Sequence, residues 1–175
     1  TLKNGERCIL RNGTEQDGEA VLEVFNITHG ETDFLLSYPD ECTFTPAQES
    51  DFLKNKTESE NEIEIVAEIG GKTVGTAGID AVGRNFKIRH RAEFGIGILK
   101  EYWGRGLGRA LTEACIECAK SAGYSQLELS VVAENKAAIS LYKKLGFCEF
   151  GRNPLGFRSR ISGMQGLVLM RLELE

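Results

Sequence analysis

The 175 residues carry 41% hydrophobic and 27% charged side chains, which suits one globular domain over 1–175 with a sizeable core. A net charge of -5 speaks against a general nucleic-acid binder. No apolar run approaches the roughly 20 residues of a membrane helix. The opening stretch, TLKNGERCILRNG, has no apolar core segment, so no signal peptide is expected. Five cysteines (Cys8, Cys42, Cys115, Cys118 and Cys148) at irregular spacing argue against a disulfide framework and for free thiols in the cytoplasm. Cys115 and Cys118 form a CxxC pair inside a helical pattern with no second pair to match it, so packing is expected there and no metal.

In chain order, Cys8–Arg11 reads as a strand. A helix follows from Ala20, with Val21, Val24 and Phe25 at helical spacing and Gly30 as its stop. Residues 31–44 are irregular. Thr45 as N-cap and Pro46 at the first helical position open a second helix to about Lys56. Two alternating runs, 63–69 and 73–82, flank Gly70-Gly71 as a hairpin. A basic connection then leads to a strand over Ala92–Leu99. The turn Gly104-Arg105-Gly106-Leu107-Gly108 enters a helix whose stripe is Leu107, Ala110, Leu111, Ala114, Cys115, Cys118 and Ala122, closed by Gly123. The remaining elements are a strand at 126–132, a helix at 135–145, a strand at 147–152, a loop at 153–163 and a strand at 167–174. The order β α α β β β α β α β β implies an α/β fold, a central mixed sheet with helices on both faces.

Three places carry chemistry. The glycine turn presents bare N–H groups at the positive end of a helix, where phosphate oxygens can approach closely. Its GxGxG spacing fits neither a GxxxxGK[ST] loop nor a dinucleotide fingerprint. Along the preceding strand, strict alternation puts Glu93, Gly95, Gly97 and Leu99 on one face and Ala92, Phe94, Ile96 and Ile98 on the other. Two glycines beside one carboxylate leave an open floor, unless a bulge breaks the alternation. In the late helix, Asn135 and Tyr142 lie about two turns apart on one face with Ile139 between them. They could flank an extended ligand, or Asn135 could be an N-cap and Tyr142 a half-buried core residue.

EYWGRGLGRAL, followed after a strand by ENKAAISLYKKLGF, resembles the GNAT superfamily of N-acetyltransferases. The first stretch is similar to its R/Q-x-x-G-x-G/A acetyl-CoA signature and the second to its N-x-x-A-I-x-L-Y-x-x-L-G-F hallmark. Trp103 departs from the Gln or Arg often found there. The resemblance implies an acyl-CoA N-acyltransferase fold and acetyl-CoA as co-substrate. It implies that Ile98 and Leu99 pair their backbone with the pantetheine arm. N–H groups from Arg105, Gly106, Leu107, Gly108 and Arg109 hold the pyrophosphate. Asn135 hydrogen-bonds the pantetheine, Ala138 lines its channel, and Tyr142 protonates the leaving thiolate. A strand N–H near Ile98 holds the acyl oxygen.

An amine of pKa about 10.4 must lose a proton before it attacks, which costs about 4.6 kcal/mol at pH 7. Glu93 is the expected base, ahead of His29 and His90. The acceptor is a small-molecule amine or a peptide N-terminus, and a homodimer is left open. Acidic residues in the first helix connection (Glu31, Asp33, Asp40, Glu41, beside Tyr38) suggest a cationic acceptor. Arg152, Arg158 and Arg160 suggest one carrying a carboxylate or phosphate. A non-catalytic acyl-CoA-binding module of the same fold is the alternative, and an assembly protein a more distant one.

Overall fold

The computed structural model describes residues 1–174. The expected span of 1–175 therefore ends on Glu175, outside the described residues. Strand β1 (Cys8–Asn12) precedes helices α1 (Gly18–Glu31) and α2 (Pro46–Glu58). Strands β2 (Ile63–Ile69), β3 (Lys72–Ala81) and β4 (Arg91–Ile98) lead into α3 (Leu107–Ser121). Then come β5 (Gln126–Val132), α4 (Lys136–Lys144), β6 (Cys148–Ser159) and β7 (Gly163–Glu173). The described strands form one seven-stranded sheet in the order β1-β2-β3-β4-β5-β7-β6. The β4–β5 pair is parallel, with α3 as its crossover, and the other pairs are antiparallel. No helix of the described residues is long and apolar enough to cross a membrane.

Local chemistry explains several boundaries. The Thr45 hydroxyl accepts from Gln48 N at 3.3 Å while Gln48 Oε1 accepts from Thr45 N at 2.8 Å, a reciprocal cap that starts α2 at Pro46. Gly70 and Gly71 both take positive φ in the two-residue hairpin turn between β2 and β3. Helix α3 buries Leu107, Leu111, Thr112, Cys115, Ile116 and Ala119. The expected stripe is thus rotated: Ala110, Ala114, Cys118 and Ala122 sit at its margin. Thr112 is fully buried because its hydroxyl donates to Gly108 O at 2.7 Å.

Two readings of the sequence are corrected. Gly30 does not stop α1; the helix runs through it to Glu31 and ends where Thr32 turns extended. Residues 153–163 are largely strand, not loop. Pro154 and Gly156 disguise β6, which tolerates them because it is an edge strand whose register shifts between Asn153 and Phe157.

Helices α3 and α4 cover one face of the sheet, where the main core gathers Phe94, Leu107, Leu111, Leu127, Tyr142, Phe147 and Met170. Helices α1 and α2 cover the other face through Val21, Leu53 and Val66.

Candidate active site

Strands β4 and β5 pair only at Arg91–Gln126, Ala92–Leu127 and Glu93–Glu128, then part. A cavity of about 460 Å³ opens where they separate. Beyond Glu93, β5 continues along β7 while β4 stays in unbroken register with β3 from Ala81–Ala92 to Gly75–Ile98. The alternation expected for β4 therefore holds without a bulge. Leu99 N donates to Val74 O at 3.0 Å, which fixes the phase of the β3–β4 hydrogen bonds. Residues 93, 95 and 97 bond to β3, so the backbone groups of Ile96 and Ile98 face the opening. The Ile98 carbonyl accepts from the Trp103 indole at 2.8 Å. Its N–H and both polar groups of Ile96 remain as a free strand edge. Leu99 is buried at 3% exposure and does not line the cavity.

One end of the cavity is the α3 turn. Gly106, at φ 96°, caps α3, and the first helix bond is Ala110 N to Gly106 O at 3.2 Å. The N–H groups of Leu107, Gly108 and Arg109 consequently have no carbonyl within the helix, the arrangement that binds anions. The Arg105 guanidinium is engaged elsewhere: it donates to Glu6 Oε2 at 2.8 Å and Glu101 O at 2.7 Å, and lies over the Tyr102 ring. Arg109 pairs with Glu113 one turn on. The stem of Lys3, whose N–H donates to Arg105 O, passes over Gly106.

Helix α4 forms the adjoining wall. Asn135 Oδ1 caps it by accepting from Ala138 N at 3.2 Å, leaving the amide nitrogen for another partner. The cavity-lining face of α4 is Asn135, Ala138, Leu141 and Tyr142, whereas Ile139 packs against the core. The face is thus turned slightly from the one drawn through Ile139. Tyr142 packs edge-on against Phe94 at 6.1 Å and beside Phe147 at 5.8 Å. Burial pushes its phenol up to about 12, with no hydrogen bond to offset it.

Glu93 lines the cavity from the sheet. Gly95 beside it has open space where a side chain would stand, and Gly97 faces Thr28 of α1. The neighbouring carboxylates are neutralised: Arg91 clamps Glu128, and Lys56 pairs with Asp80. Among the described residues Glu93 has no ion-pair partner. His29 stacks on Phe25 at 3.7 Å, bonds to Phe25 O and lies outside the cavity lining. Burial lowers its pKa.

The opposite end is walled by Phe34, Leu35 and Leu36 from the α1–α2 connection, and by Phe157 and Leu167 from β6 and β7. The sequence reading passed over these; the Phe34-Leu35-Leu36 run in an otherwise polar segment was their only signal. Most of the charged residues that the sequence offers for the acceptor are engaged by other partners. Asp33 accepts from the Ser159 and Ser162 hydroxyls, each at 2.7 Å, and from the Tyr38 hydroxyl and Gln165 amide. The serine hydroxyls hold its carboxyl below the usual range. Arg160 grips Asp40 through two 2.8 Å bonds and lies over Tyr38. Glu31 accepts from Lys100 N at 2.7 Å, and Arg152 pairs with Glu149.

Cys115 is buried and Cys118 half-buried, and burial pushes both thiols up, as packing residues require. Among the described residues no group of three or more His, Cys, Asp or Glu is placed to hold a metal ion.

Residues 29–147 match a family model described as the acetyltransferase (GNAT) family. The chain is 32% identical over 105 residues to the N-alpha-acetyltransferase RimI of Mycobacterium tuberculosis, covering 60% of this chain and 63% of that one. The chain spans less than two thirds of the curated relatives it matches first, 38% in two of them. A GNAT-family acetyltransferase structure from Streptococcus pneumoniae superposes with a TM-score of 0.91 at 30% identity, over 95% of this chain and 99% of that one. The Salmonella typhimurium protein yncA, solved with its cofactor acetyl-CoA, has a TM-score of 0.85 over 96% and 94% of the two chains; at 21% identity this is a likeness of fold.

Proposed function

The chain belongs to the acetyltransferase (GNAT) family, and from that premise we propose that it moves an acetyl group from acetyl-CoA to a primary amine, by direct attack with both substrates bound. One observation carries this reading. The parting of β4 from β5 puts Glu93, a free strand edge and Tyr142 on a single cavity.

The residues fit acetyl-CoA. Leu107, Gly108 and Arg109 offer unpaired N–H groups to a pyrophosphate. Ile96 offers both polar groups of a strand edge to the pantetheine amides, Asn135 an amide nitrogen, and Ala138 a small wall. Leu99 contributes packing only, since its N–H is spent on Val74. When bound, acetyl-CoA supplies an activated acyl group and a thiolate leaving group. Glu93 takes the proton of the attacking amine, directly or through water. The Ile98 N–H is the donor assigned to the acyl oxygen. Tyr142, firmly protonated at neutral pH, gives its proton to the departing sulfur; the apolar surroundings that weaken the phenol as an acid also strengthen the thiolate as a base. All five cysteines are free, which supports a reducing compartment such as the cytoplasm.

Acetyl-CoA at a hundredfold excess over its Kd should stabilise the protein by about 2.7 kcal/mol and raise its melting temperature. No shift at saturation would overturn the reading. A shift without thiol release in the presence of amines would leave only an acyl-CoA-binding module.

A further inference from the structure

We infer that the acceptor, on the acetyl-transfer reading above, is a primary amine flanked by an apolar side chain and bearing no carboxylate beside the amine. Sequence alone sets acidic residues of the first helix connection against arginines of the late strands. The structure removes both sets from the cavity. Arg160 is held by Asp40, and Arg152 by Glu149. Arg158 alternates with Phe157 on β6 and so faces the other way, because Phe157 lines the cavity. Asp33 is spent tying the connection to the β6–β7 hairpin.

Glu93 is left as the one carboxylate on the cavity lining, and no Lys, Arg or His of the described residues lines it. A substrate carboxylate would meet the Glu93 carboxylate and no cation on the lining, which is unfavourable. An ammonium group meets Glu93. A polyamine or aminoglycoside would bring several charges to a site that neutralises one. Phe34, Leu35, Leu36, Phe157 and Leu167 instead offer apolar surface to a side chain on the amine-bearing carbon.

The test is a set of initial rates with acetyl-CoA and matched amines: leucinamide, leucine, glycinamide, spermidine, isoamylamine and the peptide amide Leu-Gly-Gly. Expressed per unprotonated amine, leucinamide should exceed leucine, glycinamide and spermidine in kcat/KM by roughly tenfold or more. Isoamylamine outrunning the peptide identifies a small alkylamine, and the reverse a chain N-terminus; both support the inference. Leu36, 80% exposed at the cavity mouth, can be changed without disturbing the core. Leu36→Arg should lower the rate with leucinamide, raise that with leucine and leave the acetyl-CoA-dependent melting shift unchanged. Equal rates for leucine and leucinamide, or a preference for spermidine, would overturn the inference and leave acetyl transfer standing. No acetylated amine and no acetyl-CoA-dependent shift would overturn both.

Discussion

Glu93 and Glu128 are cross-strand neighbours on β4 and β5, yet only Glu128 is clamped by a cation, Arg91. Glu93 faces the cavity and serves no ion pair among the described residues, so its replacement should cost chemistry rather than folding. Glu93→Gln is expected to lower kcat/KM at neutral pH by roughly 10²–10⁴. The deficit should narrow as the pH rises towards the amine pKa, because the acceptor then arrives unprotonated. A pH–rate profile of both proteins checks this; parallel profiles would remove Glu93 as the base.

Tyr142 keeps its aromatic contacts with Phe94 and Phe147 if only the hydroxyl is removed. Tyr142→Phe should therefore retain stability and acetyl-CoA affinity while kcat falls by roughly a hundredfold. With its phenol at about 12, Tyr142 contributes no alkaline limb to the rate profile near neutral pH. Steady-state kinetics and a cofactor titration separate the two effects.

Gly106 holds φ 96° at the start of α3, with the Lys3 stem 3.5 Å from where a Cβ would stand. Gly106→Ala should destabilise the fold by about 1–2 kcal/mol and weaken acetyl-CoA binding, since left-handed backbone is unfavourable for any side chain. Melting curves and calorimetric titration read the two consequences.

Asp33 joins the α1–α2 connection to the β6–β7 hairpin through Ser159, Ser162 and Gln165. Asp33→Ala leaves these donors without their shared acceptor and should cost about 1–3 kcal/mol. The KM for the amine should rise while acetyl-CoA affinity holds, because the network frames the acceptor end alone.

Glu64 on β2 lies over Gly78, near Thr76, Lys56, Asp80 and Glu49. Burial pushes its carboxyl from 4.5 up to about 7, while Thr76 and Lys56 pull the other way. The folded state thus prefers the protonated form. Stability that is fully present below 4.5 is lost as the pH rises to about 7, by about 3 kcal/mol. Glu64→Gln does not titrate and should be more stable than the parent at pH 8, with the advantage gone near pH 4. Urea midpoints at the two pH values decide it.

The element order and the glycine turn were legible because they rest on local chemistry: the Thr45 cap, the Gly70-Gly71 hairpin, the apolar stripe around Leu111. Only the second half of strand β6 was hidden, by Pro154 and Gly156, since only the sheet order shows that it occupies an edge. The acceptor end stays open in the sequence for a related reason. Asp40 and Arg160 lie 120 positions apart, so nothing local signals that each neutralises the other. Leu99 sits at a position that the sequence offers to a ligand, but β3 takes its N–H. Residue identity located the elements that line the cavity, whereas long-range pairing decided which groups remained free.

The most direct measurement follows thiol release from acetyl-CoA together with mass analysis of leucinamide in one reaction. One acetyl group on the amine per thiol released, abolished or greatly slowed in Glu93→Gln and Tyr142→Phe, is the expected result. Thiol release without acetylated amine, or transfer untouched by both substitutions, would contradict the assignment of this cavity as the site of acetyl transfer.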